Sequence, residues 1–124
     1  MEKSDAIAAL SALAQDTRLD VFRLLVQTGP GGLAAGRIGE ALDLASATLS
    51  FHLNQLKHAG LVTCRRESRS LIYAAKYATM DALLSYLTEN CCRGAATAHL
   101  PAGSPKADSK AVVAEKVEPE KRRA

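Results

Sequence analysis

The sequence has no tryptophan, two phenylalanines and three tyrosines. Any core is therefore expected to be mostly Leu, Ile, Val and Ala, the usual filling of a small helical domain. Three cysteines, two of them adjacent, support no disulfide framework and point to a reducing cytoplasm in which the thiols persist. No apolar run approaches the roughly 18 residues of a membrane span. The apolar stretch Ile7 to Ala14 follows Glu2-Lys3-Ser4-Asp5, which lacks the positive charge of a secretory leader, so a helix is expected there instead. Catalytic signatures are missing as well. There is no Gly-rich phosphate loop and no Ser/His/Asp set, and the positions six residues after the cysteines hold Ser70, Thr97 and Ala98 where a Cys-x5-Arg loop needs arginine. These absences argue against an enzyme.

What is present is a local excess of positive charge. The net charge of +3 splits into −2 over residues 1–43, +4 over 44–77, −1 over 78–100 and +2 over 101–124. Such a concentration on one segment is the footprint of a phosphate-backbone partner. The segment opens with Leu49, Leu53, Leu56 and then Ala59 or Gly60 at helical spacing, a stripe that buries one face and leaves the other open. The open face carries Ser46, Ala47, Ser50, Phe51, Asn54 and Lys57, with Thr48 in the same first turn. Small, amide and basic side chains of this kind enter a DNA major groove and meet base edges, and Phe51 suits a thymine methyl. His52 borders the stripe and reads equally as a core-edge residue or a contact. Gly60 is a helix stop, and two β-prone runs then flank Arg65-Arg66-Glu67-Ser68-Arg69-Ser70. Arg65, Arg66 and Arg69 suit phosphates or the minor groove.

The rest of the chain fits around this unit. Ser4 or Asp5 is expected to cap a first helix with Ile7, Leu10 and Leu13 on one side, and Asp16 a second, Thr17 to about Gln27, with Leu19, Phe22, Leu25 and Val26 inward. After the Thr28–Gly32 break, a third helix over about Leu33 to Leu42 buries Ile38, Ala41 and Leu42. Asp43-Leu44-Ala45 then gives helix-turn-helix spacing, with Asp43 tolerating a left-handed conformation. Thr79 caps a last helix to about Asn90, with Met80, Leu83, Leu84, Leu87 and Cys91 in one stripe. Two terminal helices with leftover apolar faces suggest a two-fold dimer. The expected fold is mostly α with a small β-hairpin: a homodimeric winged helix-turn-helix over residues 1–95, four helices, two strands and a helix in order, then a disordered polar tail over 96–124.

Cys91 and Cys92 form the second candidate site. Adjacent Cα atoms lie about 3.8 Å apart, below the roughly 4.4–6.8 Å of a relaxed disulfide, whereas a soft, thiophilic ion faces no such limit. Arg93 is expected to lower the thiol pKa. Glu89, Asn90 and His99 give no familiar zinc spacing. Cys64, in the first hairpin strand, is a strand residue or a third ligand.

Three stretches, ALAQDTRLDVFRLL (12–25), LDLASATLSFHLNQLKHAGLV (42–62) and RRESRSLIYA (65–74), resemble the ArsR/SmtB family of winged-helix metalloregulators. The end of the last helix, LTENCCRG (87–94), is similar to the family's arsenic-responsive branch. The resemblance implies a cytoplasmic homodimeric repressor that leaves double-stranded operator DNA when its effector binds. It maps recognition contacts onto Ser46, Ala47, Thr48 and Ser50, and wing contacts onto Arg65, Arg66 and Arg69. The Cys-Val-Cys site of the founding arsenic sensors is absent, because Ala34-Ala35-Gly36-Arg37 stands there, and of the zinc ligands only Asp81 remains. The inducer site is then Cys91 and Cys92, with trivalent arsenic (arsenite, methylarsenite or antimonite in its place) as inducer and no cofactor required. Inorganic arsenic favours a third sulfur, from Cys64 or a small thiol; a monomethylated arsenical needs only two. Alternatives are a thiol-redox repressor using the same cysteines and a ligand-independent DNA-binding protein.

Overall fold

The computed structural model describes residues 1–94. The tail expected over 96–124, and His99 with it, lies outside the described residues. The chain divides after Leu87. The first unit holds α1 (Lys3–Leu13), α2 (Asp16–Thr28), β1 (Leu33–Ala34), α3 (Ala35–Leu42), α4 (Ser46–His58), β2 (Val62–Glu67), β3 (Ser70–Ala75) and α5 (Tyr77–Leu87). The strands form one antiparallel sheet in the order β1-β3-β2, with Cys64 opposite Tyr73 and Leu33 opposite Tyr73 on the other edge. No helix of the described residues is long and apolar enough to cross a membrane.

The core is mostly aliphatic, as the composition leads one to expect, with Phe22 and Tyr73 as its aromatic members. Val21, Leu25, Ile38, Leu53, Leu56 and Leu61 are fully buried, each removing apolar surface worth about 1.5–3 kcal/mol. α4 ends as a Schellman motif: Leu61 N–H donates to the Leu56 carbonyl, Gly60 N–H donates to that of Lys57, and Gly60 has φ 78°. The expected stop at Gly60 therefore holds, and buried Leu56 and Leu61 supply the accompanying apolar contact.

Several local expectations are corrected. In α1 the buried face is Ala6, Ala9 and Ala12, while Ile7 is 55% exposed and Leu10 42%. Alanines let the helix approach its neighbours closely, so the bulky side chains turn outward. Glu2, not Ser4 or Asp5, precedes α1, without a side-chain cap. The cap of α2 is Gln15, whose side-chain oxygen accepts from Arg18 N–H at 2.8 Å, and Val21 is buried where Leu19 was expected, Leu19 lying exposed. Leu33 and Ala34 leave the third helix to pair with β3, making a sheet of three strands rather than a bare hairpin. Ala41 is exposed. The last helix begins at Tyr77, not Thr79, and stops at Leu87, short of Asn90. Left-handed Asn90 (φ 61°) and Cys92 (φ 66°) are incompatible with helix there, so Cys91 leaves the apolar stripe for a turn in which its N–H donates to the Thr88 carbonyl at 2.9 Å.

Candidate nucleic-acid interface and thiol pair

Helices α3 and α4 are joined by Asp43-Leu44-Ala45. Asp43 takes the left-handed conformation (φ 55°, ψ 53°), and both its N–H and that of Leu44 donate to the Gly39 carbonyl. The chain turns so tightly that a Cβ on Gly39 would lie 3.2 Å from the Leu44 carbonyl oxygen. A side chain at Gly39, on α3 itself, would thus press on the turn, a constraint that helical spacing alone does not signal.

This turn sets the orientation of α4. Leu49, Leu53 and Leu56 point into the core, and Ser46, Ala47, Thr48, Ser50, Phe51, Asn54 and Lys57 are all exposed. Phe51 is 56% exposed, a large apolar ring held open on a polar face, and meets His52 edge-on with ring centroids 5.4 Å apart. His52 is half-buried, and its Nδ1 is buried with no hydrogen-bond partner among the described residues, which places it at the core edge. His58, in the last turn of α4, is exposed. The α4 residues singled out by sequence as contacts are therefore all accessible.

Beyond α4, β2 and β3 form a hairpin whose two-residue loop is Ser68-Arg69, with Ser68 at φ 59°. Arg66 and Arg69 are exposed. Arg65 is engaged: its Nε donates to Glu67 Oε2 at 2.8 Å and its Nη2 donates to the Gly31 carbonyl at 2.9 Å. Both partners escaped sequence reasoning. Arg-x-Glu at strand period was the available signal for Glu67; nothing local pointed to Gly31, 34 residues away. Cys64 is half-buried against the core and faces Tyr73 across the ladder. Burial first, then the hydrogen bond and charge of the Cys64 sulfur, hold the Tyr73 phenol above its ordinary range.

The second candidate site lies in Thr88–Gly94. The Cys91 and Cys92 sulfurs are 2.6 Å apart and both residues are half-buried. The hydrogen bond to the Cys92 sulfur, then burial, then the charge of Cys92 raise the Cys91 thiol pKa. That is opposite to the lowering expected from Arg93: a neighbouring sulfur that shares the proton stabilises the neutral thiol. Among the described residues no group of three or more His, Cys, Asp or Glu side chains is gathered as a metal site would require.

A sequence profile for the helix-turn-helix domain matches residues 13–65. The transcriptional activator HlyU of Vibrio cholerae is 30% identical over 95 residues, 75% of this chain and 85% of that protein. The structure of its reduced form superposes with a TM-score of 0.57 at 28% identity, covering 73% of this chain and 92% of HlyU. The homodimeric winged helix-turn-helix domain of a possible ArsR-family regulator from Mycobacterium bovis superposes with a TM-score of 0.56 at 28% identity, over 77% of this chain and 89% of that one. A putative arsenical resistance operon repressor of Halobacterium salinarum is 36% identical over 63 residues, 51% of this chain and 48% of that protein.

Proposed function

Because the chain belongs to the ArsR/SmtB-type family of winged helix-turn-helix transcriptional regulators, we propose that it is a dimeric repressor whose α4 helices read operator DNA and whose Cys91–Cys92 pair takes a trivalent arsenical that ends repression. The observation that carries the DNA half is the exposed face of Ser46, Ala47, Ser50, Phe51, Asn54 and Lys57, with Thr48 exposed in the first turn, backed by a buried leucine stripe. Arg66 and Arg69 extend this face to flanking phosphates. Exposed Ile7 and Leu10 on α1 and Leu87 on α5 give a second copy apolar surface to cover. A two-fold pair of such helices spaced about one DNA turn, roughly 34 Å, meets two half-sites of a symmetric operator.

The inducer half is supported by two adjacent sulfurs. A monomethylated trivalent arsenical condenses with two thiols, forming two As–S bonds and releasing its two hydroxyls as water with the thiol protons. Arsenite and antimonite need a third sulfur, and Cys64, packed against Tyr73 and the core, is the weaker candidate beside an external thiol. By linkage, an effector that weakens operator binding is itself bound less tightly on DNA, typically by 1–3 kcal/mol.

The test is release from a labelled operator in a gel shift, with methylarsenite, arsenite, antimonite and peroxide each added to wild type, Cys91→Ser and Cys92→Ser. Both variants bind DNA normally and resist arsenical release; release that persists in them excludes the pair as the inducer site. The likeness to HlyU, whose reduced form has been solved, favours one second reading. Peroxide would oxidise the same thiols to a disulfide between the two subunits, its two oxygens leaving as water, since adjacent cysteines resist a relaxed disulfide with each other. Release by peroxide alone selects that reading.

A further inference from the structure

We infer that Arg65 is a positioning residue of the wing, bracing it against the glycine turn before β1 instead of meeting a DNA phosphate. The inference rests on the proposed DNA-binding role of the hairpin and changes which of its arginines carry charge to DNA. In the strand register Arg65 lies opposite Ile72 of β3, and β3 lies between β2 and β1. Its Nη2 donates to the Gly31 carbonyl at 2.9 Å, so one side chain ties β2 to the turn that precedes β1. The far anchor is fixed by geometry. Gly32, next to Gly31, has φ 78°, and a Cβ there would lie 2.6 Å from the Tyr73 carbonyl oxygen and 2.9 Å from the Ile72 side chain. The turn is therefore seated on β3 in a way only glycine permits. The near anchor is the Glu67 carboxylate, 2.8 Å from Nε and two residues along the same strand face.

That carboxylate is the deciding feature. A bare acidic group on a wing repels phosphate, and a paired one cancels the charge of its arginine. An Arg–Glu pair releases no net counterion from DNA, so the salt dependence of binding should be set by Arg66, Arg69 and Lys57. The two possible roles of Arg65 then predict opposite signs at Glu67. As a brace partner, Glu67 helps DNA binding; beside a phosphate-binding arginine, it hinders it.

The experiment uses the full chain and measures operator affinity by fluorescence anisotropy across a salt series, with amide hydrogen exchange on the free protein. Glu67→Gln is expected to weaken operator binding by about two- to five-fold, the range of an exposed ion pair, without changing the salt slope, and to speed exchange at residues 63–66 and 71–74. Arg65→Lys should weaken binding and speed the same exchange at unchanged slope, since lysine keeps the charge but loses the fork; Arg65→Ala should weaken binding further, because it leaves Glu67 bare. Arg66→Ala should instead lower the slope by about one. Tighter or unchanged binding by Glu67→Gln, or a slope lowered by about one in Arg65→Ala, overturns the brace. If wild type prefers no duplex, the DNA-binding reading fails by itself, and unchanged wing exchange in Glu67→Gln then separately overturns the brace.

Discussion

The Tyr77 hydroxyl donates to the Val26 carbonyl at 2.9 Å, joining the first turn of α5 to the last turn of α2. In a longer helix that carbonyl would accept from the N–H four residues on, but the residue there is Pro30, which has none. Tyr77 replaces the missing donor from 51 residues away. Tyr77→Phe should thus leave the Val26 carbonyl unsatisfied and cost about 1–3 kcal/mol. A melt followed by circular dichroism should show a midpoint lowered by several degrees, and an unchanged midpoint would mean that water substitutes for the hydroxyl.

Two substitutions on α4 should separate reading from folding. Asn54 is exposed and Leu53 is buried. Asn54→Ala is expected to lower operator affinity by about 1–3 kcal/mol, the value of a base contact, with stability unchanged. Leu53→Ala should cost about 2–5 kcal/mol of stability through the cavity it leaves. Paired anisotropy and urea titrations distinguish these outcomes.

The hairpin loop offers a gain. Ser68 holds a φ of 59°, where a side chain is strained and glycine is not. Ser68→Gly should stabilise the chain by roughly 0.5–1 kcal/mol, read as a higher denaturant midpoint at unchanged slope.

The thiol pair makes a prediction about pH. The Cys91 pKa is raised chiefly by Cys92, so at neutral pH less of it is thiolate than in a free cysteine, and its alkylation should rise only at more alkaline pH. Cys92→Ser removes the main cause, shifting the iodoacetamide rate profile of Cys91 toward lower pH. A profile that stays in place, followed by mass spectrometry, would show that the neighbouring sulfur does not set the titration.

Exposed Ile7 and Leu10 should matter only to assembly. Ile7→Glu with Leu10→Glu is expected to convert a dimer to folded monomer in sedimentation velocity and to weaken operator binding with it. A dimer that survives places the interface elsewhere.

Sequence by itself determined the reading unit. Leu49, Leu53 and Leu56 at helical spacing fix which side of α4 is buried whatever packs against it, and the residues left over are the exposed candidates. The stop at Gly60 and the left-handed Asp43 were equally legible, because backbone conformation at those positions depends on local chemistry. Tertiary structure decided what periodicity leaves open. Spacing grouped Ile7, Leu10 and Leu13, but only the close fit available to Ala6, Ala9 and Ala12 settled that Ile7 and Leu10 face out while Leu13 packs on the core. β1 has two residues and no pattern of its own; it exists because β3 offers an edge to pair with. The partners of Arg65 and Tyr77 came from Gly31 and Val26, remote in the chain, since hydrogen-bond needs left at helix ends and turns are met by whichever group the fold brings near.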